Sequence, residues 1–67
     1  MLSSLFFYQI LYYVAVNGHS SGPFDLQTIK NMYDKGMFKL NDLVWKQGMS
    51  DWAVAESIEE IKDLIKK

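Results

Sequence analysis

The dipeptide Asn17-Gly18 constrains this chain more than any other feature of it. It follows Leu11-Tyr12-Tyr13-Val14-Ala15-Val16, a run of aromatic and β-branched residues suited to a pleated strand. Asn-Gly favours the type I′ turn, whose two central residues both need positive φ and whose twist matches that of paired antiparallel strands. The reading is therefore a hairpin with His19-Ser20-Ser21-Gly22 as the return strand. Pro23 ends it, because a residue with no N–H belongs at a sheet edge or a strand terminus. Successive side chains on a strand point to opposite faces, so of Tyr12 and Tyr13 one enters the core and the other is presented.

Beyond the hairpin the pattern changes to a helical period. Asp25 stands at an N-cap position, Leu26, Ile29, Met32 and Tyr33 share one helical face, and Gly36 sits just past the end. This predicts a helix over Leu26–Lys35. Leu43-Val44-Trp45-Lys46 reads as a third strand closed by Gly48, and Met49–Ala53 as an irregular turn or a short helical piece that lays Trp52 on the sheet. Ser57 and Glu60 have the spacing of a capping box, opening a second helix, Ser57–Lys67, with Ile58, Ile61, Leu64 and Ile65 on its apolar side. Trp45 and Trp52 are assigned to the core on size, since so short a chain has few other large groups to bury. The fold class is α+β: a small antiparallel β-sheet, one helix packed across it and a C-terminal helix.

A chain of 67 residues makes one domain, and such a chain buries only about 60% of the surface its unfolded form exposes. No cysteine is present and His19 is the sole histidine, so neither a disulfide framework nor a metal-ligand set can be drawn, and no cofactor is expected. Seven lysines and no arginine against eight acidic residues leave a net charge of −1. That balance excludes a nucleic-acid partner, which needs several cations on one face. Ser20-Ser21 lacks a histidine–acid arrangement, no phosphate loop occurs, and Asp25 and Glu60 are accounted for by capping, so the chain is read as no enzyme. The apolar start is shorter than the roughly 20 residues of a membrane-spanning helix and has no basic residue before it. Residues 1–10 are taken as an apolar extension and 11–67 as the domain, with a cytoplasmic location expected.

Gly22-Pro23-Phe24, a helix-length interval and Gly36-Met37-Phe38 reproduce the spacing at which GYF domains place Gly-Pro-Phe, a helix and Gly-Tyr-Phe. Tyr12-Tyr13 lies where that family has its Trp-x-Tyr element. Leu43-Val44-Trp45-Lys46-Gln47-Gly48-Met49 with Trp52 and Ala55 is similar to the bacterial GYF-like variant. The resemblance covers about residues 12–65. It implies a non-enzymatic interaction module that binds proline-rich peptides, stiff polyproline II helices that dock with little loss of entropy. The implied site residues are Phe24, Phe38 and Tyr12 or Tyr13. Three positions depart from the family: Ser21 and Met37 stand where it has tyrosines, and Met32 where it has the helix tryptophan. Methionine offers a soft apolar contact rather than a flat ring.

The expected surface is thus Tyr12, Tyr13, Phe24, Met32, Met37 and Phe38, offered to a protein or peptide partner. The rival expectation is structural: the same face covered by a second copy in a homodimer, or by a larger protein carrying the module. The opening Leu5-Phe6-Phe7-Tyr8 fits that rival, because such a stretch left in water invites association.

Overall fold

The structure, a computed structural model, describes residues 10–66. The readings placed on residues 1–9, the apolar extension among them, lie outside the described residues. The chain runs β1 (Tyr12–Val16), β2 (His19–Phe24), α1 (Leu26–Asp34), β3 (Leu43–Trp45), β4 (Ala53–Val54), a 3-10 turn (Ala55–Ser57) and α2 (Glu59–Ile65). The strands form one antiparallel sheet in the order β2-β1-β3-β4. The α+β class, the helix packed on the sheet and the C-terminal helix are as the sequence predicts; β4 is an addition to it.

The hairpin turns where Asn-Gly places it, with Asn17 at φ 54° and Gly18 at φ 81°. Val16 pairs with His19, Ala15 with Ser20 and Val14 with Ser21, and the register then shifts before Tyr12 pairs with Phe24. The one extra residue of that bulge carries β2 through Pro23 to Phe24, beyond the end predicted at Gly22. A proline is tolerated there because β2 is an edge strand. Gly22 is at φ 127°, and a Cβ on it would come within 2.9 Å of the Tyr12 carbonyl oxygen and 3.1 Å of the Tyr13 Cα. Only glycine lets β2 lie that close to β1.

Asp25 caps α1, its Oδ1 accepting from the Thr28 N–H at 2.8 Å. At the other end Met37 N–H donates to the Met32 carbonyl at 2.8 Å and Gly36 N–H to the Tyr33 carbonyl at 3.0 Å. That pair of bonds is the Schellman motif, with Gly36 in the left-handed region at φ 78°. The second predicted cap is corrected. Ala55 N–H donates to the Asp42 carbonyl and Glu56 N–H to the Leu40 carbonyl, fixing the chain after β4 against the loop before β3, where it winds as a 3-10 turn. Ser57 falls inside that turn and its hydroxyl donates to the Val54 carbonyl at 2.6 Å. Helix α2 starts from Ile58 with no side-chain cap, and Glu60 turns elsewhere.

The core lies on one face of the sheet. Tyr12 and Val14 of β1 and Val44 of β3 meet Ile29 of α1, Ile61 of α2, Phe38 and Ala55 in one buried cluster. Phe24, Leu26, Met32, Leu40, Ile58 and Ile65 pack around it, partly buried. Both tryptophans are corrected: Trp45 is half-buried and Trp52 is 38% exposed, and neither joins the cluster. The pairing gives the reason, since Val44 takes the inner position of β3 and Trp45, beside it, must face outward.

Gly22→Ala should destabilise the domain by about 1–3 kcal/mol, combining an unfavourable φ with backbone overlap. Urea unfolding checks this, and a change within about 0.5 kcal/mol would mean that β2 does not need its close approach to β1.

Candidate functional site

The sheet face turned away from the helices is built by the same pairings that make the core. Tyr13 lies opposite Trp45, Ala15 opposite Leu43, and Leu43 opposite Val54. These residues alternate with the buried Tyr12, Val14 and Val44, so they share the outer face, and none of them is charged. Tyr13, Leu43 and Val54 are each about two-fifths exposed.

At one end of this face Ile10, Leu11, Tyr13, Pro23, Trp45, Lys46 and Gln47 enclose an open groove of about 610 Å³. Its aromatic wall is the Tyr13–Trp45 pair, with ring centroids 6.0 Å apart and planes inclined at 50°, within the range of favourable aromatic contacts. The Trp45 indole N–H donates to the Met49 carbonyl at 2.9 Å. The Lys46 N–H approaches the Met49 sulfur at 3.3 Å, and the Met49 N–H donates back to the Lys46 carbonyl. This turn spends the indole's single donor inside the protein and pins the ring, leaving an apolar surface toward the groove.

Of the six residues predicted for the site, the structure gathers only some at the surface, and on different sides. Tyr13 is 39% exposed and lines the groove. Met37 is 58% exposed at the end of α1, where it occupies the residue after the capping glycine. Phe24 and Met32 are half-buried against the core. Tyr12 and Phe38 are a correction to the expected surface: both are fully buried and hold the two helices to the sheet, so in the folded domain they have no ring to offer. Sequence reasoning missed Trp45, Pro23, Ile10 and Leu11. The signal was available in Leu43-Val44-Trp45, a strand apolar on both sides, of which only one can face the helices.

Tyr12 links the core to this site. Its hydroxyl donates to the Glu60 carboxylate, and the Lys46 Nζ lies 3.4 Å from the same carboxylate and 5.4 Å from the Tyr12 ring centroid. Burial, then the hydrogen bond to Glu60 and its negative charge, push the Tyr12 hydroxyl well above its ordinary value of 10.0. The described residues contain no cluster of His, Cys, Asp or Glu able to hold a metal ion, and none of their helices is long and apolar enough to cross a membrane.

A family model described as GYF domain 2 matches residues 12–61, and no curated protein matches the chain. The matched span holds both strands of the hairpin, α1 and the Trp45 turn; Ile10 and Leu11 of the groove precede it.

Two substitutions separate the adjacent tyrosines. Tyr12→Ala removes a fully buried ring and should cost about 3–5 kcal/mol, enough to unfold a domain of this size, whereas Tyr13→Ala should stay within about 1 kcal/mol of the parent. Equal losses would place both rings in the core.

Tyr12→Phe tests the joint to Glu60. Glu60 is a third exposed, so screening trims the bond to about 1 kcal/mol at neutral pH. The folded state holds the hydroxyl proton more tightly than the unfolded chain. Its contribution is therefore whole below pH 10 and is lost as the pH climbs above that value toward the folded-state value. Unfolding curves of the parent should weaken over that range more than those of Tyr12→Phe; parallel curves would remove the linkage.

Proposed function

The chain belongs to the GYF domain 2 family, and from that premise we propose that it is a non-enzymatic protein-interaction module whose ligand is an extended peptide, proline-rich in character, held in the groove of the outer sheet face. The observation that carries this reading is the pinned Tyr13–Trp45 pair with Pro23 beside it, a partly exposed aromatic wall on paired strands. Polyproline II segments suit such a wall, because their rings lie against aromatic faces and their conformation is set before binding.

The surface implied by family resemblance contributes less in this chain. Tyr12 and Phe38 are committed to the core, and Ser21, Met32 and Met37 stand where rings would be needed. The groove offers the flat apolar contact that this second surface has lost. No set of convergent polar groups lines it, and a non-catalytic role follows from that together with the family. A cytoplasmic location is compatible with the absence of cysteine, which leaves nothing for an oxidising compartment to pair.

Affinity should be weak, with Kd of about 0.1–1 mM for a short peptide, since the contact is small and transient in kind. The test is a two-dimensional NMR titration of the labelled domain with a synthetic proline-rich peptide, after a dilution series has fixed the oligomeric state. Shifts should centre on Leu11, Tyr13, Trp45 and Gln47, and Trp45→Ala should weaken binding at least about tenfold while the remaining spectrum stays dispersed. Shifts confined to Met32 and Met37 would move the site to the end of α1. Broadening of the outer-face signals that depends on protein concentration, with no response to peptide, would replace the module by self-association.

A further inference from the structure

Resting on that peptide reading, we infer that Trp52 is the hydrogen-bonding anchor of the same site, its indole N–H donating to a main-chain carbonyl of the bound peptide. The strand register puts it there. On the outer face the side chains stand in rows that cross the strands. Ala15, Leu43 and Val54 make one row, since Ala15 pairs with Leu43 and Leu43 with Val54. Two residues along, Tyr13 pairs with Trp45, and the antiparallel register of β3 and β4 continued by the same step sets Trp52 opposite Trp45. Ala53, next to Trp52, pairs with the inward Val44, so the pleat turns Trp52 outward. It is 38% exposed and stands apart from the buried cluster. The aromatic wall of Tyr13 and Trp45 thus continues onto a third ring, just before β4.

The two indoles differ in what their nitrogens can still do. The Trp45 N–H donates to the Met49 carbonyl at 2.9 Å and is spent. The Trp52 backbone N–H is taken by the Asp51 carboxylate at 2.8 Å, but no acceptor among the described residues takes its indole N–H. An indole nitrogen can only donate, and a half-covered ring with an open polar end suits a contact that is apolar on one side and hydrogen-bonded on the other. A polyproline II segment supplies the acceptor, because it makes no internal hydrogen bonds and its carbonyls stay open. The dimensions agree as well. From β1 across β3 to β4 is two strand spacings, about 10 Å, and one turn of a polyproline II helix rises about 9 Å. A peptide crossing the strands rests one turn on Tyr13, Trp45 and Trp52, the first two giving apolar contact and the third holding its main chain.

The experiment follows the two indole N–H signals of the full chain, labelled with nitrogen-15, during titration with a synthetic proline-rich peptide. In the free protein, nuclear Overhauser contacts should connect the rings of Trp45 and Trp52, and the Trp52 indole proton should exchange with water faster than that of Trp45. Peptide should move the Trp52 indole signal downfield and slow its exchange at least about threefold, while the Trp45 indole keeps its exchange rate. Trp52→Phe, which retains a ring and removes the donor, should weaken binding about threefold to tenfold, the size of one neutral hydrogen bond. If that variant loses its spectral dispersion, the indole signals of the parent chain decide. Shifts at Tyr13 and Trp45 with an unmoved Trp52 indole overturn the anchor and leave the peptide module standing, as does a folded Trp52→Phe variant that binds as tightly as the parent. Absence of ring contacts between the tryptophans overturns the aromatic row. No shifts at the groove or at either indole overturn both readings.

Discussion

The arrangement of this domain depends on one constraint: both described helices pack on the same face of the sheet. Two short helices, one of nine residues and one of seven, supply Ile29 and Ile61 to the inner face, and none of the described elements covers the outer one. The alternation of β1 and β3 then acts as a sorting rule. Tyr12, Val14 and Val44 go to the core; Tyr13, Ala15, Leu43 and Trp45 go outward, although as residue types they are equally suited to burial. An apolar outer face is the complement of this sorting, since the strands that fill the core are apolar on both sides.

Much of that architecture was legible in the sequence because it rests on local chemistry. Asn17-Gly18 fixed the hairpin, Asp25 and Gly36 fixed the ends of α1, and the opposed fates of Tyr12 and Tyr13 were foreseen from the pleat alone. The parts that failed were those that only long-range pairing decides. Ser57 and Glu60 have the spacing of a capping box, yet hydrogen bonds from Ala55 and Glu56 to Asp42 and Leu40 wind Ser57 into a 3-10 turn, and Tyr12 claims Glu60. The tryptophans were placed in the core by size, but position on a strand outranks size: once Val44 faces inward, Trp45 has no inward orientation left. Phe38 shows the reverse case, a residue assigned to the surface by likeness to a family and taken by the core, where its ring is one of the two largest side chains among the buried described residues.

The joint of Tyr12, Glu60 and Lys46 explains how such a thin core can hold a well-defined groove. Tyr12 is the one core residue with a polar end, and burying it requires a partner for its hydroxyl. Glu60 provides one from α2, and Lys46 balances the resulting charge from the end of β3. A single set of contacts thus ties the central strand, the last helix and the rim of the groove. Lys46 is held at the boundary between apolar and acidic surface by the demands of the core, before any ligand is considered.

This coupling also bears on why a family fold can persist while its expected binding surface thins out. Phe24, Met32 and Phe38 retain their duties toward the core whatever they offer to solvent, so the Gly-Pro-Phe segment and the α1 end are kept by packing. Met37 follows the Schellman glycine, where an apolar residue opposite Met32 is favoured for the helix end itself. Neither methionine needs a ligand to explain it. Tyr13 and Trp45 are different: the buried cluster does not include them, Trp45's polar atom is already satisfied by Met49, and part of each ring stays in water, Tyr13 being 39% exposed and Trp45 half-buried. Residues that stability alone would not put on the surface are the ones for which a function has to be sought, and in this chain they lie on the outer face of the sheet.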